Sequence, residues 1–176
     1  MPDTVPACEV RRKATARRLG GFIEWASVLH KAAWCDWRKG NGGEGAKLSV
    51  RAMKTWKKYL GPEHEKTLSS MGLVGLIDLL RGRLKEAEEL FVQVMETRKR
   101  VLGAEHPDTL TSMANLAFTW KEQGRSVEAL DLFQECVQLQ SKVLGVKHID
   151  TVSSSATLIG WQAEKLDIKQ PANGAI

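Results

Sequence analysis

The stretch "LGAEHPDTL", Leu102 to Leu110, decides the fold because the chain writes it three times. Forty-two residues earlier it reads "LGPEHEKTL" from Leu60, and forty-two residues later "LGVKHIDTV" from Leu144. Self-similarity at one fixed period marks a stack of identical supersecondary units. With 60–101 laid over 102–143 without a gap, fifteen of forty-two positions match, among them Gly61 with Gly103, His64 with His106, Thr67 with Thr109, Gly82 with Gly124 and Phe91 with Phe133. A further copy opens at Leu144 and runs out near Leu166. Residues 18–59 fit the same frame in degenerate form, with Gly40 on Gly82, Leu48 on Leu90 and Met53 on Met95.

Each copy reads as two helices. In 102–143 the first starts at Pro107, whose missing N–H is no loss in a first helical turn, with Asp108 at the positive end of the helix dipole. Leu110, Met113, Ala114, Ala117 and Trp120 then recur at three- and four-residue steps and give one apolar face. Gly124 ends that helix. The second carries Leu130, Phe133 and Val137 on one face with Ala129 and Cys136 beside them, and Gly145 closes it. The spacing predicts seven helices, near 22–39, 45–59, 65–81, 84–101, 107–123, 126–143 and 149–165. A helix pair this small cannot bury both apolar faces alone but can do so against neighbours. The fold class expected is all-α, an α-solenoid of antiparallel helix pairs. The nine repeated letters are the corner between successive units.

The organisation expected is therefore a basic arm without fixed structure over 1–17, a degenerate repeat over 18–59, repeats over 60–101 and 102–143, the first helix of a fourth repeat over 144–166 as a cap or truncated unit, and a tail over 167–176. The whole chain is 43% hydrophobic and 27% charged, with a net charge of +5. No apolar run approaches the ~18 residues of a membrane span, and no short apolar core of a secretory signal stands at the start. Three scattered cysteines, Cys8, Cys35 and Cys136, fit free thiols in a reducing compartment, and the location expected is cytoplasmic. Five bases without an acid in "RRKATARR", Arg11 to Arg18, would suit an anionic partner, but no aromatic residue or motif accompanies them, so neither nucleic acid nor membrane is expected as a partner.

The positions of Met113, Leu116, Ala117, Trp120, Ala129, Phe133 and Cys136 resemble the tetratricopeptide repeat signature. A period of 42 rather than 34, with "LGAEHPDT" filling the difference, is similar to the kinesin light chain and nephrocystin type. The resemblance covers about 44–166 and is specific over 60–143. It implies a tetratricopeptide-like superhelix that acts as a protein-binding scaffold. The sequence departs from the family pattern at the large aromatic position, Trp120 here but Asp78 and Asp36 in the earlier copies. The family's first-helix asparagine stands only at Asn115, with Leu73, Lys31 and Thr157 in its place elsewhere.

Candidate chemistry is sparse. "GNGGEGAK", Gly40 to Lys47, lacks the Gly-Lys-Ser/Thr ending of a phosphate-binding loop and reads as a glycine-rich turn between helices. His64, His106 and His148 recur a whole repeat apart, and helix axes alone stand ~8–10 Å from one another, too far for one metal with ligand bonds of ~2 Å. They read as histidines bonded at helix starts. No nucleophile–base constellation is present, so the chain is read as no enzyme, with no cofactor and no metal. Trp25, Trp34, Trp37 and Trp56 suit either core filling of an N-terminal cap or an aromatic docking surface.

The function expected is a non-catalytic scaffold that binds a protein or peptide along a concave groove lined by the first helix of each repeat. The alternative is a repeat segment of a larger nucleotide-binding receptor or cargo adaptor, acting in self-association through its terminal repeats. The groove residues expected are Trp34, Leu76 and Phe118, spaced 42 apart, flanked by Thr111, Asn115 and Lys121. Three large apolar residues in register favour an apolar or aromatic-bearing ligand over an acidic one.

Overall fold

A computed structural model describes residues 7–39 and 42–168. Among these residues there are seven α-helices and no strand. The chain divides into two compact units, Met1–Gly82 and Arg83–Ile176, and the division falls inside the second sequence repeat.

In the first unit, α1 (Ala7–Arg38) and α2 (Gly42–Leu60) form a hairpin, and α2 continues into α3 (Glu65–Leu80). The α1/α2 seam sets alanines against a few larger residues. Ala26 and Leu29 meet Ala52 and Trp56, while Ala33 and Ala46 pack with Leu73 and Ile77 of α3. The Trp56 indole N–H donates to the Ile23 carbonyl at 3.3 Å. Gly45 marks the tightest approach: a Cβ there would stand 2.8 Å from Asp36 Oδ2 and 3.2 Å from the Ala33 carbonyl oxygen. The Gly45 amide donates to that same Asp36 oxygen at 2.6 Å, which satisfies one of the free N–H groups in the first turn of α2. From Gly42 on the glycine-rich stretch is the start of α2 and not the turn expected between helices; Gly40 and Asn41 lie outside the described residues.

The second unit runs α4 (Leu84–Leu102), α5 (Pro107–Glu122), α6 (Ser126–Val143) and α7 (Ile149–Ile168), each packed on the next. Its core is larger grained. Leu110, Met113 and Cys136 form one cluster; Ala117, Phe133 and Val137 form another, with Leu158 and Trp161 of α7 at its edge. Phe133 and Phe91 are fully buried. Trp120, expected to be buried, is only half-buried. Its ring lies under the Arg125 guanidinium at 4.7 Å, and its Nε1 donates to Glu88 at 2.7 Å. Gln123 and Arg125 donate to the same carboxylate at 2.8 and 2.6 Å. Burial alone would raise the Glu88 carboxyl, but these three hydrogen bonds and the Arg125 charge outweigh it and hold it below the ordinary carboxylate range.

The repeated corner explains its own letters. His64, His106 and His148 each turn Nδ1 onto the backbone N–H two residues on, at 3.1, 3.1 and 3.3 Å, as side-chain N-caps. Gly61, Gly103 and Gly145 stand at φ of 94°, 94° and 90°, a region that strains any residue with a Cβ. Thr67 and Thr109 are buried and donate their hydroxyls to the Gly61 and Gly103 carbonyls at 2.8 and 2.9 Å.

Helices α2 to α7 lie within a few residues of the bounds expected. The arm over 1–17 does not stay unstructured: α1 begins at Ala7. Its arginines, alanines and lysine are good helix formers, and no proline or glycine interrupts them before Gly20. Residues 1–6 and, beyond α7, the tail from 169 lie outside the described residues.

Candidate partner-binding site

Helix α5 of the second unit places Thr111, Asn115, Phe118 and Lys121 at successive four- and three-residue steps, so they share one face. Pro107 and the His106 cap fix where that helix begins and hence which way the face turns. The face meets α7 in two ways. Toward the C-terminal end of α5, Phe118 sets its ring edge-on to Phe133 at 5.4 Å and to Trp161 at 5.1 Å, and Lys121 bonds Glu164 at 2.6 Å while lying over the Trp161 ring. Toward the N-terminal ends of both helices the surfaces part. A cleft of about 230 Å³ opens there, lined by Thr111 and Asn115 of α5, by Asp150, Ser153 and Ser154 of α7, and by Gln140 from α6.

In the first unit, Trp34 is 41% exposed on α1, with its ring tilted 37° against Trp37 at 4.8 Å. Leu76 is half-buried on α3. Equal spacing therefore leads to three different surroundings: a tryptophan pair, a half-covered leucine, and a phenylalanine that is 38% exposed at the edge of an aromatic cluster. The structure brings Thr111 and Asn115 into one cleft and sets Phe118 and Lys121 against α7. Asp150, Ser153, Ser154 and Gln140 were missed. The available signal was the alignment of Gln140 and Ser154 with Arg98 and Ser112 one period earlier.

Little at these sites suits covalent chemistry. The three repeated histidines are engaged at helix starts. Among the described residues no group of three His, Cys, Asp or Glu side chains could hold a metal, and no helix is long and apolar enough to cross a membrane. Cys136 is buried, with Sγ 3.2 Å from the Leu110 carbonyl, and burial with the nearby Glu135 charge pushes its thiol up to about 11.

A tetratricopeptide repeat profile matches residues 25–100 and, overlapping, 73–142. The chain belongs to the tetratricopeptide repeat family. Its repeats are of the kinesin light chain type. A solved kinesin-light-chain-type protein of Podosopora anserina, with nearly identical tetratricopeptide-like repeats, is 27% identical to it at a TM-score of 0.71. That match takes in 77% of this repeat chain and 64% of the solved one, so the chain spans just under two thirds of that structure's length. A variant of the same protein matches at a TM-score of 0.70 with the same identity and coverage. BtubC (BKLC) of P. vanneervenii, 12% identical, shares the fold at a TM-score of 0.64 over 86% of this chain and 68% of its own. No curated protein matches. The tetratricopeptide chain thus has the all-α repeat-solenoid fold. Such repeats generally mediate protein–protein interaction, and proteins of this kind are typically non-catalytic scaffolds.

Proposed function

We propose that this chain is a cytoplasmic, non-catalytic scaffold that captures a peptide or helix of a partner protein along the first helices of its repeats. The observation that carries this is the open cleft beside α5, where Thr111 and Asn115 face Ser153 and Ser154 across unfilled space. Amide and hydroxyl side chains there can bond the backbone of an extended segment. Phe118 offers the part of its ring that Phe133 and Trp161 leave uncovered, and Lys121 sits beside it; Trp34 and Leu76 offer apolar contact on the first unit by itself. Partners identified by affinity capture with the whole chain are the starting point. Asn115→Ala and Phe118→Glu are then compared with the parent for binding and melting. Lost binding with an unchanged melting curve supports the groove. Unchanged binding in both variants refutes it, and loss of folding in Phe118→Glu alone assigns that ring to packing.

A second reading, self-association, draws on α1, where Phe22 and Trp25 are 48% and 42% exposed although Phe22 stacks on Tyr59 and Arg51 covers one face of Trp25. Sedimentation of the parent and of Trp25→Glu at rising concentration tests it. A concentration-dependent species that the substitution removes is the expected result.

A further inference from the structure

Two corners of the second unit are equivalent by sequence, and the side chain that fills the first is replaced by a shorter one at the second. At the α4/α5 corner, Arg98 is buried and its Nη1 donates to the Asp108 carbonyl at 3.1 Å and to the Ser112 hydroxyl at 3.0 Å. One period later, at the α6/α7 corner, the same positions hold Gln140, Asp150 and Ser154. Glutamine is shorter and uncharged, and around it lies the cleft described above, lined by Gln140, Asp150 and Ser154 together with Thr111, Asn115 and Ser153. The later corner is also short of hydrogen bonds. Gln140 Oε1 is buried without a partner, and so is Thr151 Oγ1, whose counterpart Thr109 donates to the Gly103 carbonyl. The lining carries one ionisable group, the acid Asp150, and no base.

We propose that this cleft receives the guanidinium of an arginine from a partner protein, in the place that the chain's own Arg98 fills one repeat earlier. The Asp150 carbonyl and the Ser154 hydroxyl take the acceptor roles of Asp108 and Ser112. The Asp150 carboxylate and the Gln140 amide oxygen supply further acceptors for a group that has five donors and no acceptor of its own. The partner segment is accordingly basic at the point where it enters between α5 and α7. This deepens the groove reading and rests on it for the idea that a peptide reaches this face.

The probe is N-acetyl-L-arginine amide, titrated into the whole chain and followed by amide NMR, with the neutral citrulline counterpart as control. Saturable shifts are expected at Asp150, Ser154 and the Gln140 side-chain amide, with citrulline at least about fivefold weaker. No shift at these positions, or equal shifts from citrulline, overturns the proposal. Gln140→Arg supplies the guanidinium from within. It is expected to abolish the probe's shifts and to raise the denaturation midpoint. Retained binding overturns the proposal, and so does failure to fold, because a place built for arginine accepts one. Ser154→Ala is expected to weaken the probe severalfold with an unchanged melting curve; unchanged probe binding counts against it. A single-residue probe binds or fails regardless of whether a peptide runs along the groove, which Asn115→Ala and Phe118→Glu test separately.

Discussion

Asp36 and Trp120 occupy the same position in the repeat, near the end of a first helix, and they close their hairpins by opposite means. Trp120 is large and spans outward: its indole bonds Glu88 on α4 and stacks under Arg125 at the start of α6. Asp36 is small and reaches across a narrow gap to the Gly45 amide in the first turn of α2. The difference extends into the neighbouring turns. Where α6 buries Phe133 against α5, α2 holds Ser49 at the equivalent position, with its hydroxyl turned back to the Ala46 carbonyl. One hairpin is spaced by aromatic rings and locked by a polar network. The other is drawn together at this end by alanine, serine and glycine, while Trp56 fills its far end. A repeat position prescribes a place to be filled, and how wide that place is depends on the residues facing it.

Phe133→Ala strikes the wide seam hardest. The ring is fully buried among Ala117, Val137, Phe118 and Trp161, and its loss is expected to cost about 3–5 kcal/mol, read as a lowered urea midpoint. An unmoved midpoint would break the comparison at its root. In the narrow seam the damaging change is an addition. Gly45→Ala forces a methyl against Asp36 and the Ala33 carbonyl, with an expected cost of about 1–3 kcal/mol. Combining it with Asp36→Ala, which alone removes an N-terminal hydrogen bond worth about 1 kcal/mol, is expected to be clearly less than additive. Full additivity would show that the two residues do not meet.

The two hairpins also answer acid differently. Glu88 is held below its ordinary value, so the stability it contributes is present above about pH 4.5 and is lost as the pH falls through its folded value. Glu88→Gln is expected to cost about 1–2 kcal/mol at neutral pH and to flatten the acid limb of a midpoint-against-pH curve. In the first unit, His30 rests against Trp56 at 5.3 Å, and burial lowers it from 6.5. Because the unfolded chain takes up that proton more readily, stability falls as the pH drops below about 6.5 and levels off once the folded chain is protonated too. His30→Gln is expected to remove this smaller slope, seen as a melting temperature no longer sensitive between pH 7.5 and 5.5. A slope unchanged by the substitution would place the titration elsewhere.

The corners were legible because each is written in residues with a single backbone use: glycine at positive φ, a capping histidine and a buried threonine, joined in one of them by proline at the helix start. Six helix spans followed from them. The start of α1 was not legible, since "RRKATARR" has no apolar period and basic composition alone does not separate a helix from a coil. Asp36 read as a defect of the family pattern because its partner, the Gly45 amide, is a backbone group that no side-chain alignment displays. Thr111 and Asn115 could be named from helix geometry. The residues opposite them could not, because the α5–α7 separation depends on Trp161 and on how far Gln140 fails to reach.

Cys136 makes the wide seam a clock. With Sγ enclosed between α5 and α6 and its thiol pushed up to about 11, roughly one molecule in ten thousand carries the thiolate at neutral pH. A disulfide reagent therefore reacts with it only when the seam opens and the thiol regains its ordinary acidity, at a rate that levels off at the opening rate once reagent is in large excess. Cys35, exposed on α1, reacts at once and sets the zero of time. The slow phase, followed against reagent concentration, gives the opening frequency of α5 and α6 without denaturant and without an added label.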